Sequence, residues 1–204
     1  MTMIVPTRTH ENDLKLKNFL LIAGIDEVGR GCLAGPVVAA AVILQENIDI
    51  SLLRDSKKLS KKQRETVVTQ IKQQSRHIGI GWVSALEVDE QGLSWAVKES
   101  GLRAIADMSI KPDYIILDGN HNYLKDTHYK SEALISADAT EACVAAASII
   151  AKVARDNYME LAAYAHPGYG FEQHVGYGTA AHKIALKELG ATQLHRKSFA
   201  GVVS

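Results

Sequence analysis

Four carboxylates stand where regular elements are expected to stop. Asp26 and Glu27 close the apolar run FLLIAGIDEV, Asp118 ends YIILD just before Gly119, and Asp138 opens the alanine-rich run ATEACVAAASIIAKVARD. If the four converged without a counter-ion, each pair of charges about 4 Å apart would cost on the order of 4 kcal/mol at an effective dielectric near 20. Several such pairs would exceed the about 5–15 kcal/mol that holds a fold together. Convergence therefore demands a divalent cation, and a ligand set made only of oxygens selects Mg²⁺ or Mn²⁺ over zinc, which prefers Cys and His. Each acid also fits an ordinary duty: Asp138 with Glu141 matches a helix-capping pattern, Asp118-Gly119 a strand-ending turn, and Asp26-Glu27 a pair of exposed turn acids. Neighbouring side chains alternate across a strand, so a shared role for Asp26 and Glu27 requires a twist or bulge there, which Gly29 and Gly31 permit.

The segment GIDEVGRG spaces its glycines like a phosphate loop, but Arg30 and Gly31 occupy the Lys and Ser/Thr positions and two carboxylates inside the loop would repel phosphate. Its glycines suit close backbone approach to a nucleic-acid strand beside a metal site. Ser148 and Lys152, four apart on the alanine-rich helix, give it a polar stripe that fits phosphate contact or a surface stripe. Residues 54–64 carry six bases against one acid, including Lys57 and Lys58. Such a run is ordinarily a solvated face, and it is also the densest positive patch, with Lys57 a candidate for phosphate. His182 and Arg196 are read as phosphate contacts, packing or helix-terminal residues, and Trp82 and Trp95 as core. Asp156 is a rival acid, about 27 Å from Asp138 by helix rise if the helix is continuous, and is assigned a structural role with Arg155 or a helix partner.

The elements that must position these groups follow from periodicity. Residues 19–28 and 37–44 read as a hairpin of buried strands, and residues 60–74 as an amphipathic helix with Ser60 as N-cap. Residues 77–84 form a strand, 86–108 a helical stripe broken at Gly92 and Gly101, and 114–118 and 132–136 two further strands before the long helix from Asp138. The pattern implies an α/β fold, a mixed sheet flanked by helices with a helical C-terminal extension, and such sheets bind ligands at strand ends. The 204 residues, 47% hydrophobic, suffice for one core, and 23 basic against 23 acidic residues give no net charge. Disorder and a bulk polycation are excluded, so charge for any polyanion must be placed locally. Cys32 and Cys143 read as reduced, buried thiols of a cytoplasmic protein, the first eighteen residues lack the apolar core of a signal peptide, and no apolar run has the length of a membrane span. Residues 1–18 read as a partly ordered leader and 19–204 as a single domain, expected to act as a monomer.

GIDEVGRG followed by GPVVAAAVIL, then DSKKLS, YIILDGN, an Asp leading into AAASIIAKVARD, and YGFEQHVGYGT with LHRKSF, resembles bacterial ribonuclease HII over residues 20 to about 200. The resemblance implies a ribonuclease H-like fold and endonucleolytic cleavage of RNA in RNA–DNA hybrids, with incision 5′ to single ribonucleotides in duplex DNA by two-metal hydrolysis that leaves 3′-hydroxyl and 5′-phosphate ends. It implies that Asp26, Glu27, Asp118 and Asp138 bind Mg²⁺ or Mn²⁺. Gly29, Arg30 and Gly31 would sense the ribose 2′-hydroxyl and adjoining phosphate, and Tyr177 would stack on the next deoxyribose. Val175 departs from the basic or polar residue common before GYGT, and the segment 118–138 varies in length in the family. The leader leaves no room for the extra N-terminal domain of ribonuclease HIII, and the closing SFAGVVS shows no clear clamp-binding peptide. Another metal nuclease on the same fold, and a catalytically silent hybrid-binding module, are the competing readings.

Overall fold

The computed structural model describes residues 5–53 and 60–202. The two apolar runs form the expected antiparallel hairpin, β1 (Ile22–Val28) and β2 (Val37–Leu44). Every residue of β2 is buried, as befits an unbroken VVAAAVIL run with neighbours on both edges. β3 (Ser75–Val83) pairs antiparallel with β2, while β4 (Tyr114–Asp118) and β5 (Ser131–Leu134) continue the sheet in parallel, giving the order β3-β2-β1-β4-β5. Ile115, Ile116 and Leu117 have no exposure at all. Burying each contributes about 1.5–3 kcal/mol, which pins the strand that ends in Asp118.

Strand alternation assigns the two faces. Ala23, Ile25, Ala39, Ala41 and Leu117 pack toward Ala104 and Ile105 of α4 (Leu93–Asp107). Ile22, Ala40, Val42 and Ile116 pack toward α6 (Ala142–Ala165) and toward Val67, Val68 and Ile71 of α2 (Lys61–Gln74). α2 starts where expected, with Ser60 and Gln63 forming a reciprocal capping box. A Cβ on Gly24 would lie 2.3 Å from the backbone of Cys143 and Val144, so only glycine lets α6 approach β1 this closely.

Several expectations are corrected. Asp138 does not open the long helix: it sits in a separate turn, α5 (Ala137–Thr140), and the chain is extended at Glu141 (φ −108°, ψ 121°) before α6 begins. The cause is tertiary, because Thr7 accepts the Ala142 N–H at 2.9 Å and donates its own N–H to the Thr140 carbonyl at 2.8 Å. Residues 9–16 form α1 (Thr9–Leu16), which puts Leu14 into the core. The stripe at 86–108 is two helices, α3 (Ala85–Gln91) and α4, separated at Gly92 (φ +85°), whereas α4 runs through Gly101 without a break. Trp82 and Trp95 are half-buried instead of core, Trp82 lying 5.7 Å from the Tyr158 ring. The C-terminal extension, α7 (Phe171–His174) and α8 (Ala180–Leu189), packs Phe171, Ala185 and Leu186 against Leu33, Ala34 and Met159. Both cysteines are free and buried, and among the described residues no helix is long and apolar enough to cross a membrane.

Candidate active site

Because β1 and β4 are parallel neighbours whose last pair is Ile25 opposite Leu117, the acids that follow those residues lie side by side just past the end of that ladder. Asp26 and Asp118 therefore meet at the same end of the ladder. Asp138 is brought in by α5, where its backbone N–H donates to Asp118 Oδ1 at 3.3 Å. The register of β1 against β2 stays regular through Glu27 and Val28, so of the twist or bulge expected at Asp26-Glu27 the bulge is absent. Asp26 lies on the α6 face and Glu27 on the α4 face. Both reach the space off the ladder's end, where side chains from either face of a strand can meet.

That space is a cleft of about 620 Å³ lined by Asp26, Glu27, Val28, Gly29, Arg30, Gly31, Arg64, Asp118, Asp138, Ser148, Lys152 and Tyr177. All the residues singled out from the sequence as site residues are here except Lys57, which lies outside the described residues. A second cleft of about 420 Å³ shares Glu27, Arg30 and Asp118 with it and runs to Trp95, Lys98 and Tyr123. Sequence reasoning missed Arg64 as a lining residue, although it belongs to the basic run that was noted. Asp156 has the helix partner expected as one alternative, pairing with Lys152 Nζ at 2.7 Å on the same helix and with Arg64 Nη2 at 3.9 Å, and not with Arg155.

The loops of the cleft are tied from beneath by two arginines with no exposure. Arg155 donates to the carbonyls of Pro36 (2.9 Å), Val175 (2.8 Å) and Ala34 (3.0 Å), so one guanidinium joins the segment after the GRG loop to the segment before Tyr177. Arg196 donates to the carbonyls of Gly35 and Arg30. Burial pulls its pKa down to about 10, which leaves it charged at neutral pH. Neither Arg196 nor His182 has any exposure, so neither is placed to touch phosphate. Gly29 has φ +93°, and a Cβ there would fall 2.4 Å from Arg155 Nε and 2.7 Å from the Pro36 carbonyl oxygen. Arg30 instead points outward with 61% of its side chain exposed, its Nη1 2.9 Å from Glu27 Oε1. Tyr177 is 42% exposed at the rim, a flat aromatic surface facing the cleft.

Burial and then the neighbouring Glu27 push the Asp26 carboxyl up to about 8, with Asp118 and Asp138 adding to the rise while a hydrogen bond from Ser148 opposes it. Glu27 is raised by burial against the pull of Arg30. Among the described residues no three His, Cys, Asp or Glu side chains form a ready-made metal cluster. Asp26 Oδ1 accepts the Glu27 N–H, Asp118 Oδ1 the Asp138 N–H, and Glu27 is held by Arg30. The donor chemistry nevertheless fits a hard divalent cation: oxygens only, and a crowded carboxylate whose negative charge is under-compensated.

The ribonuclease HII family model matches residues 23–202. The chain belongs to the ribonuclease HII family. It is 47% identical over 193 residues to ribonuclease HII of Bacillus cereus (strain ZK / E33L), covering 95% of this chain and 74% of that protein. It is 46% identical to ribonuclease HII of Enterococcus faecalis (strain ATCC 700802 / V583), covering 91% of this chain and 72% of that one. Among solved structures it is similar to ribonuclease H2 from Pyrococcus horikoshii OT3, with TM-score 0.76, 27% identity, and coverage of 90% of this chain and 95% of that one. The RNase HII in the PCNA complex from Archaeoglobus fulgidus also gives TM-score 0.76, at 30% identity, covering 88% of this chain and 95% of that one. The fold is thus the ribonuclease H-like mixed sheet with added C-terminal helices. As a ribonuclease HII, the chain is an endoribonuclease acting on RNA in RNA–DNA hybrids and on ribonucleotides in DNA.

Proposed function

We propose that the cleft cuts the phosphodiester 5′ to a ribonucleotide, leaving a 3′-hydroxyl and a 5′-phosphate, with Asp26, Glu27, Asp118 and Asp138 holding a pair of Mg²⁺ or Mn²⁺ ions. The ions, when bound, supply a more acidic water and positive charge to offset the departing 3′-oxygen. The chain's own residues do the recognition. Gly29-Arg30-Gly31 offers backbone and one exposed guanidinium to the ribose 2′-hydroxyl and the adjoining phosphate, the 2′-hydroxyl being what separates RNA from DNA. Arg30 is free to turn from Glu27 toward phosphate because nothing buries it. Tyr177 stacks its exposed ring on the next deoxyribose and so reads the RNA-to-DNA junction. Ser148 holds the Asp26 carboxylate, and Lys152, with Lys57 in the basic run, meets phosphate.

The observation that carries this reading is that four acids from β1, β4 and α5 share one cleft with the GRG loop and Tyr177. Because the chain has no net charge, substrate binding depends on divalent cation and local bases more than on bulk charge. We also infer a catalytic domain over residues 19–204, working as a monomer in the cytoplasm. Asp118→Asn tests the assignment. Losing even a group that merely supports a ligand costs about 10–100-fold, so cleavage in Mg²⁺ should fall by at least about 100-fold with the fold intact. Undiminished cleavage would show that Asp118 holds no metal.

A further inference from the structure

Behind Tyr177 three imidazoles are packed into the C-terminal lobe with little exposure: His174 of α7 (9%), His182 of α8 (0%) and His195 beyond α8 (2%). Their hydrogen bonds have only one consistent direction. The Thr192 backbone N–H can only donate, and it reaches His195 Nδ1 at 2.9 Å, so the His195 proton is on Nε2. That atom is 3.1 Å from His182 Nε2, which must accept. The His182 proton is then on Nδ1, which donates to the Tyr177 carbonyl at 2.9 Å. At the other side of the same residue the Tyr177 N–H donates to the His174 carbonyl at 2.9 Å. His174 is fixed independently, taking the Gly176 N–H on Nδ1 (3.2 Å) and donating from Nε2 to the Tyr169 carbonyl (2.7 Å). Its ring stacks on His182 at 4.4 Å.

We propose that His195 and His182 are positioning residues, a one-way hydrogen-bond chain from Thr192 that holds the Tyr177 peptide and so aims its ring at the RNA–DNA junction. The assignment rests on Tyr177 reading that junction. A chain of this direction needs both rings neutral, since an added proton would set two N–H groups against each other or against a backbone N–H. The groups facing the pair keep them so: burial, then His182, His166 and His174, press His195 down to about 4, and burial lowers His182 as well. Facing the pair as well are the Tyr169 ring, 5.1 Å from His195, the Phe171 ring, 5.5 Å from His182 and 5.7 Å from His195, and the Thr192 hydroxyl, 3.0 Å from His195 Nδ1. The chain is distinct from the two arginines, which grip Val175 and Arg30 but make no hydrogen bond to Tyr177 among the described residues.

The test is a ratio: incision at a single ribonucleotide in duplex DNA over cleavage of a continuous RNA strand in a hybrid, measured in Mg²⁺. Both substrates use the same acids and the same folded fraction, so a merely structural loss cancels. His182→Ala should lower the ratio about tenfold, the effect of about one net hydrogen bond. His195→Leu should do the same, while His195→Gln, which keeps a donor facing His182, should preserve the ratio. Added to Tyr177→Ala, His182→Ala should change nothing further. Equal slowing of both substrates, or additivity with Tyr177→Ala, would overturn the proposal. If His182→Ala does not fold, the His195 pair decides by itself. A ratio unmoved by Tyr177→Ala would instead refute junction reading, and the relay's purpose with it.

Discussion

Replacing Gly29 with alanine should loosen the GRG loop by an amount the structure lets one work out. At φ +93° a side chain costs about 1–3 kcal/mol in backbone strain. The new methyl would also sit 2.4 Å from Arg155 Nε and 2.7 Å from the Pro36 oxygen that this nitrogen donates to. Arg155 cannot step aside cheaply, because it is fully buried and held by three carbonyls. Losing one hydrogen bond to a charged group adds about 1.5–3 kcal/mol, for a total of about 3–6 kcal/mol. In a chain of this size that lowers the thermal midpoint by roughly 6–24 °C. Gly31→Ala is the internal control, since nothing lies within 4 Å of where its Cβ would be and its φ is not positive. Thermal and urea unfolding of both variants decide the matter. A Gly29→Ala protein within about 1 kcal/mol of the parent, or a Gly31→Ala protein equally destabilised, would refute the claim that Arg155 locks this loop.

Other consequences can be checked in the same way. Glu87 is held down to about 2, first by its hydrogen bond from Arg103 and then by the Ser84 N–H it caps. A depressed carboxylate contributes stability above its unfolded value near 4.5 and loses it as pH falls through the folded value. The stability gap between parent and Glu87→Gln in urea should therefore be full at neutral pH and shrink between about 4.5 and 2; a constant gap would contradict the linkage. Tyr123 has a buried hydroxyl with no hydrogen-bond partner among the described residues. Tyr123→Phe should leave urea stability unchanged or raise it by up to about 1–3 kcal/mol, where the same change at a bonded hydroxyl costs about 1 kcal/mol. A loss from Tyr123→Phe would mean the hydroxyl is bonded.

Much of the fold could be read from local pattern. The buried hairpin, the capped α2 and the YIILD strand follow from apolar runs and one capping box, whose causes lie within a few residues of the effect. Other features depend on residues far apart in the chain. The break that puts Asp138 on its own turn is made by Thr7, more than a hundred positions away, so an alanine-rich run that favours continuous helix gave no sign of it. Gly101 misled for the opposite reason: glycine costs helix stability by about 1 kcal/mol, and the tertiary packing of α4 outweighs it. Of the two partners the sequence offered Asp156, the structure selects the helix partner Lys152, four residues back, over the adjacent Arg155, because adjacent residues on a helix do not face each other.

The sequence by itself determined the chemistry: which oxygens are available, that a neutral chain must place its positive charge locally, and which blocks resemble a nuclease of this family. Residue type and motif order are covalent facts that need no folding. Only the tertiary structure decided how the acids meet. Parallel pairing sets Asp26 beside Asp118, a backbone contact from Thr7 frees Asp138 from the long helix, and Glu27 arrives from the opposite face without any bulge. It also decided that two buried guanidiniums and two buried, hydrogen-bonded imidazoles stand behind the GRG loop and Tyr177. The physical reason is that a hydrogen bond's direction and a charge's burial belong to groups brought together by folding, and no spacing along the chain records them.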